Sequence, residues 1–294
     1  MKANIECYFC CVRKIEGLLK QYNVSDSDSI EILKNVSNII YSADNNISAP
    51  VLMNKIMNIL EQKLGITDTY KDMKDKYNEL LLKKENMFLS EILKSDDVFG
   101  SGLKCAITGN YIDFGAMDNV DENKLNDLLE KRENIELSEE EISNLKKDIE
   151  SAKNLLYITD NAGEIVLDKI FIRVLKELYP NLNIKVMVRG VPTLNDATEH
   201  DADKIGLYNY VDVISNGTSI PGTQIELVSD EAREAILNAD LCIAKGQGNF
   251  ETLRGCGLNV YYLFLCKCNL FVKKFGVERF TAVLANEKRI VQYA

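Results

Sequence analysis

The chain has 294 residues, 46% of them hydrophobic and 27% charged, with a formal net charge of -10; this is the composition of a globular protein large enough to bury a sizeable core. The acidic balance excludes a general phosphate-backbone binder, which needs clustered Lys and Arg, so nucleic acid is not an expected partner. No apolar run reaches the roughly 18–20 residues of a membrane span, Met1–Cys7 carries no signal core, and the eight cysteines fit free thiols in a reducing compartment, so a cytoplasmic protein with no membrane partner is expected.

The first part of the chain reads as helices. Leu33, Val36 and Ile40 fall at helical spacing, as do Leu52, Ile56, Ile59 and Leu60, a run opened by Ser48 and Pro50 and closed by Gly65. A third run starts near Asp68, with Met73, Tyr77, Leu80 and Leu81 on one face. The acidic stretch 121–136 reads as a solvated surface face, and Ser138 with Glu141 predicts a capping box ahead of Ile142, Leu145 and Ile149.

From Leu155 the pattern changes. Leu155–Ile158 is a short buried-strand run, followed by an amphipathic helix through Ile165, Ile170, Val174 and Leu178. Strand-like runs recur at Ile184–Val188, Val211–Ile214, Leu241–Ala244 and Val260–Leu265, with Arg289–Tyr293 as a last strand. This alternation predicts parallel pairing with right-handed crossovers: an α/β fold with a doubly wound, mostly parallel, Rossmann-like sheet behind a helical N-terminal region. The division expected is a helical region over 1–95 and an α/β metal- and phosphate-binding domain over 96–294.

If the strands are parallel, their ends open on one edge of the sheet, where open α/β folds bind ligands. Asp160 and Asn161 stand where the first strand ends, with Gly163 allowing a tight turn, and Asp196 lies a few residues past the second. Two carboxylates and an amide form an all-oxygen set of three, which favours Mg²⁺ or Mn²⁺ over zinc. Any one of these residues alone reads as a helix cap; their coincidence on one edge reads as a site. Lys245-Gly246-Gln247-Gly248-Asn249 adds a lysine and two glycines that let backbone N–H groups approach an anion. It is neither the phosphate-loop pattern nor a dinucleotide fingerprint.

Together these residues resemble the domain-of-unknown-function-89 family, also called damage-control phosphatases. The match runs through Asp160-Asn161-Ala162-Gly163-Glu164, Arg189-Gly190-Val191-Pro192 with Asn195-Asp196, Asn216-Gly217, and Lys245 to Glu251. Upstream it includes Gly109 to Gly115 and Cys7-Tyr8-Phe9-Cys10, so it covers nearly the whole chain in order. The Cys-X-X-Cys pair is similar to that of the branch found in archaea, bacteria and some eukaryotic fusions.

The resemblance implies a metal-dependent phosphatase acting on small phosphorylated metabolites, such as sugar phosphates or damaged and surplus cofactor precursors, with Mn²⁺, Co²⁺, Ni²⁺ or Mg²⁺ as cofactor. It places the metal on Asp160, Asn161 and Asp196, and Lys245 on the phosphate, with Gly246, Gly248 and Asn249 beside it. Glu164, Arg189, Asn110 and Asn216 match family positions and are assigned to the substrate side; Asp113 matches too. The nucleophile is either a metal-activated water or a carboxylate, with Asp160 the candidate for the second.

Cys7 and Cys10 are half of a second metal or redox site, which would need two more ligands from Cys256, Cys266 and Cys268; the later cysteines otherwise read as structural thiols. His200, the only histidine, reads as a surface residue. Two other classes compete: an S-adenosylmethionine-dependent methyltransferase, against which the single Gly163 after the first strand speaks, and a non-catalytic regulatory protein that binds a phosphometabolite. The sequence sets no oligomeric state.

Overall fold

The structure, a computed structural model, describes residues 1–115 and 120–290. Its centre is a six-stranded sheet: β1 (Asn154–Ile158), β2 (Asn183–Val188), β3 (Asp212–Ser215), β4 (Leu241–Lys245), β5 (Val260–Leu265) and β6 (Ala282–Asn286), in the spatial order β3-β2-β1-β4-β5-β6. All neighbouring pairs are parallel except β5 with β6. The chain leaves β1 toward β2 and β3, then crosses back to place β4 on the other side of β1. Connections therefore diverge at β1 and β4 and open a crevice at their carboxyl ends.

Period-two alternation splits the strands between two cores. Leu155 and Tyr157 of β1, Leu241 and Ile243 of β4, and Tyr261 and Leu263 of β5 face the larger one. Leu156 and Ile158, Cys242 and Ala244, and Tyr262 and Phe264 face the smaller. The larger core continues from the sheet through the crossover helix Glu164–Leu178 into the N-terminal helices Ile5–Gln21, Asp26–Ser42, Ala49–Leu64, Lys71–Leu82, Glu85–Ile92 and Val98–Gly109. The crossover helix is consequently buried on nearly every side up to its last turn, where Leu178, expected in its apolar stripe, is exposed with Lys176 and Glu177.

Local signals set several boundaries. Helix Ala49–Leu64 starts at Ser48 with Pro50 in its first turn and ends at Gly65, whose φ of 65° is left-handed. Ser138 Oγ accepts from Glu141 N at 3.2 Å, but the return arm of the capping box is absent because the Glu141 carboxylate binds Arg289 at 2.7 and 2.8 Å. In helix Asp26–Ser42 the buried stripe runs through Ile32 and Val36, and Leu33 is 48% exposed. The last strand is Ala282–Asn286; of the expected Arg289–Tyr293 run, Arg289 and Ile290 follow a turn and residues 291–293 lie outside the described residues.

Helix Val98–Gly109 packs flat on the crossover helix because glycines remove the side chains between them. A Cβ at Gly102 would lie 2.9 Å from Phe171 Cδ2, and one at Gly109 would lie 3.1 Å from Glu164 Cα. Gly102→Val should therefore destabilise the protein by about 1–3 kcal/mol through overpacking. Gly17, with nothing within 4 Å of an added Cβ, is the control: Gly17→Ala should stabilise helix Ile5–Gln21 by about 0.5–1 kcal/mol. Urea unfolding of the two variants checks both signs.

Candidate active site at the strand ends

Backbone pairing alone brings the three expected cation ligands together. The segment leaving β1 is zipped to the loop after β2: Ala162 N donates to Asn195 O and Ala197 N to Asp160 O, both at 2.8 Å, with Asn161 opposite Asp196 in an antiparallel bridge. The Asn195 side chain ties this loop to residues 112–114, accepting from Phe114 N at 2.9 Å and donating to Ile112 O at 3.2 Å. Gly246 begins the helix after β4 with φ 78°, and a Cβ there would lie 1.9 Å from Asp160 Oδ2. Only glycine lets the two strand ends approach this closely.

Ionisable groups crowd this edge. Asp160, Asp196, Asp113, Glu164 and Asp168 pack against three cations, Arg189, Lys245 and Lys267. Burial, with Asp196 and Glu164 as like charges, holds the Asp160 carboxyl well above the usual carboxylate range. Burial also pushes Asp196 up to about 6, against the opposing pull of Arg189.

Most of the expected substrate-side residues form a layer behind Asp160. Asn110 Nδ2 donates to Asp160 Oδ2 at 3.1 Å and to both oxygens of Glu164 at 3.0 and 2.9 Å. Asn161 Nδ2 donates to Asp160 Oδ2 at 2.7 Å and Glu164 Oε2 at 2.9 Å. Arg189 donates through Nε to Asp196 at 2.7 Å and through Nη2 to Asn249 Oδ1 at 3.3 Å, while Asn249 Nδ2 bridges Thr159 O and Lys245 O. Asn216 organises its own turn, accepting from Gly190 N and Thr218 N. Lys245, expected against the phosphate, does not reach the cavity. Its Nζ donates to Ala106 O at 3.0 Å, Glu164 Oε1 at 2.7 Å and Asp168 Oδ1 at 2.6 Å, and the residue is wholly buried.

In front of this layer lies a cavity of about 560 Å³ whose floor includes Asp160, Asn161, Asp196, Asp113 and Gly248. Lys267, just past β5, also lines the cavity, with its side chain buried: its Nζ donates to Asp113 Oδ2 at 2.6 Å and its backbone N to Gln247 Oε1 at 2.7 Å. Sequence reasoning missed it, although β5 ends on the same edge as β1 and β4. Helix Ile5–Gln21 supplies one wall through Cys7, Cys10, Arg13 and Gly17. That helix is held down by Ala3 N donating to Ile47 O at 2.8 Å, by the amino terminus donating to Glu251 O, and by the Glu6–Lys273 pair at 2.9 Å.

Cys268 lines the same cavity as Cys7 and Cys10, whereas Cys256 and Cys266 do not. Cys7 Sγ donates to Asn4 Oδ1 at 3.3 Å, and burial pushes its thiol up to about 11. Among the described residues no three His, Cys, Asp or Glu side chains are gathered at metal-ligand spacing. The His200 side chain is 65% exposed, beside Asp75, and does not line the cavity.

The family model of the damage-control phosphatase ARMT1-like domain matches residues 3–283. The chain is 31% identical to damage-control phosphatase PH1575 of Pyrococcus horikoshii over 294 residues, covering 98% of this chain and 99% of that one. It is 30% identical to a damage-control phosphatase of Archaeoglobus fulgidus over 244 residues, covering 80% and 83%. The crystal structure of the Pyrococcus horikoshii protein, described as a DUF89 family protein, superposes with a TM-score of 0.81 over 98% of this chain and 99% of that one, at 30% identity. With the fold, the strand-end motifs and the whole-length match in agreement, the chain belongs to the ARMT1-like, or DUF89, damage-control phosphatase family.

Proposed function

We propose that this protein is a divalent-cation-dependent phosphatase that hydrolyses small phosphomonoesters, with the cation on Asp160, Asn161 Oδ1 and Asp196. The observation that carries the reading is the convergence of Asp160, Asn161 and Asp196 on the floor of one cavity: two carboxylates and an amide from adjacent strand ends fit a doubly charged ion. The donors are all oxygen, since Asn161 Nδ2 is committed to Asp160 and Glu164 and leaves its carbonyl oxygen for the ion; this suits Mg²⁺, Mn²⁺, Co²⁺ or Ni²⁺ better than a thiolate-seeking metal. A bound cation supplies Lewis acidity at a phosphoryl oxygen and offsets its charge.

The remaining work falls to the chain's own groups. Lys267 Nζ, held by Asp113 at 2.6 Å, stands ready to pair with the phosphate. The first-turn N–H groups of helix Gly246–Leu253 have no intrahelical acceptor and add a second anion contact at Gly248. Arg189 fixes Asp196 through Nε at 2.7 Å, and Asn110 fixes Asp160. The division of labour follows the chain: region 96–294 carries the chemistry, and the helices of 1–95 close the cavity around the rest of the substrate. A cavity of about 560 Å³ accommodates a sugar phosphate or a cofactor fragment and not a polymer. No helix of the described residues is long and apolar enough to cross a membrane, and all eight cysteines are unpaired, which supports a cytoplasmic setting.

The purified protein with Mn²⁺, Co²⁺, Ni²⁺ or Mg²⁺ should release inorganic phosphate from sugar phosphates, lose turnover to a chelator and regain it with added metal. Calorimetry on Asp196→Ala should show Mn²⁺ affinity reduced severely, since one ligand of three is lost. Methyl transfer from S-adenosylmethionine without phosphate release would overturn the reading. Gly246→Ala tests the close approach of the strand ends: its Cβ would displace Asp160 Oδ2, 1.9 Å away, so a folded variant should bind Mn²⁺ about tenfold or more weakly.

A further inference from the structure

The sheet-edge chemistry leaves one buried network with no assigned task. Tyr157 of β1, Asp168 and Glu164 of the crossover helix, and Lys245 at the end of β4 are all fully buried on the face of the sheet opposite the smaller core. Tyr157 Oη donates to Asp168 Oδ1 at 2.7 Å, Lys245 Nζ donates to the same oxygen at 2.6 Å and to Glu164 Oε1 at 2.7 Å, and Ala106 O takes the third ammonium proton at 3.0 Å. An ammonium has three donors, so Lys245 has none left for a ligand. Glu164, the other end of the network, accepts from Asn161 Nδ2 at 2.9 Å through Oε2. An amide presents its NH₂ on one side and its oxygen on the other. The two carboxylates that take the Asn161 NH₂ therefore decide which way its oxygen points.

We infer that Lys245 is a positioning residue: through Glu164 it holds the Asn161 amide with its oxygen toward the cavity, and so sets cation affinity without touching the phosphate. The order of contacts is continuous, from Tyr157 and Asp168 to Lys245, to Glu164, to Asn161 and Asp160. Removing the ammonium leaves Glu164 and Asp168, one helical turn apart, without the charge that anchors both, and Glu164 keeps only amide donors, from Asn110 and Asn161, to hold the place from which it orients Asn161. The inference rests on the reading of Asp160, Asn161 and Asp196 as cation ligands. It reverses the expectation for a lysine in contact with substrate, whose loss would spare the metal and weaken the phosphate.

Two titrations on the full chain separate these roles: Mn²⁺ by calorimetry without phosphate, and inorganic phosphate as product inhibitor at saturating Mn²⁺. Lys245→Met should weaken Mn²⁺ binding by about tenfold or more, the usual effect of losing a group that orients a ligand, while phosphate inhibition at saturating Mn²⁺ stays near that of the parent protein. Where Lys245→Met fails to fold, Lys245→Met with Asp168→Asn removes one charge of each sign, keeps the buried balance and leaves Glu164 without its cation; the same two results are expected. Unchanged Mn²⁺ affinity with weakened phosphate inhibition would make Lys245 a substrate contact, and unchanged values for both would make it structural; either overturns the inference. Absence of Mn²⁺ binding to the parent protein would remove the cation reading itself, whereas parent binding with an indifferent variant removes only the role of Lys245.

Discussion

Asp160, Asp196, Glu164 and Asp168 are buried ionisable groups at the carboxyl end of a parallel sheet, and burial makes each depend on a donor or a cation within a few ångströms. That requirement explains the density of amides and cations behind the cavity. Asn110 and Asn161 turn their NH₂ groups on Asp160 and Glu164, and Arg189 spends its donors on Asp196, Asn249 and Thr223. Asn249 then ties the ends of β1 and β4 together through Thr159 O and Lys245 O. The strand ends are thus crosslinked by the groups that solvate the carboxylates, so preorganisation and polar satisfaction have the same source.

The glycines extend this logic to the backbone. Asp160 occupies space that any side chain at residue 246 would fill, and helix Val98–Gly109 lies close enough to Glu164 for Ala106 O to share Lys245. Close approach is what lets one ammonium serve a carbonyl and two carboxylates from two different helices. A larger residue at either contact would separate groups whose charges are tolerated only because they are near each other.

The sheet was legible because strands buried on both faces read as continuous apolar runs, as in Leu155–Ile158 and Val260–Leu265. Strand β6 was not, since Ala282–Asn286 sits at an antiparallel edge where pairing with β5, not composition, makes it a strand. The candidate site was legible as a place, because motif residues coincided at successive strand ends. Their roles were less so. In β4 the odd residues Leu241 and Ile243 face the larger core, so Lys245 points that way as well, toward a surface whose covering helices no local pattern reveals. Glu164 and Asp168, four apart on one helix, were the available sign that a cation lies between them. Lys267, which lines the cavity, sits between two cysteines and outside the motif that drew attention.

The wall formed by helix Ile5–Gln21 has a different standing from the floor. Three of its fastenings, the amino terminus on Glu251 O, Ala3 on Ile47 and Glu6 on Lys273, lie apart from the lattice of amides and cations that holds Asp160 and Asp196, while Lys14 Nζ, donating to Phe114 O at 2.6 Å, reaches the segment that Asn195 ties to that lattice. Arg13 and Gly17 face the cavity from a helix whose opposite side is anchored by Ile15 and Leu18 in the core. Substitutions at Arg13 and Gly17 leave the buried charges untouched, so the shape of the molecules admitted is free to drift across generations while the reaction performed on them stays fixed.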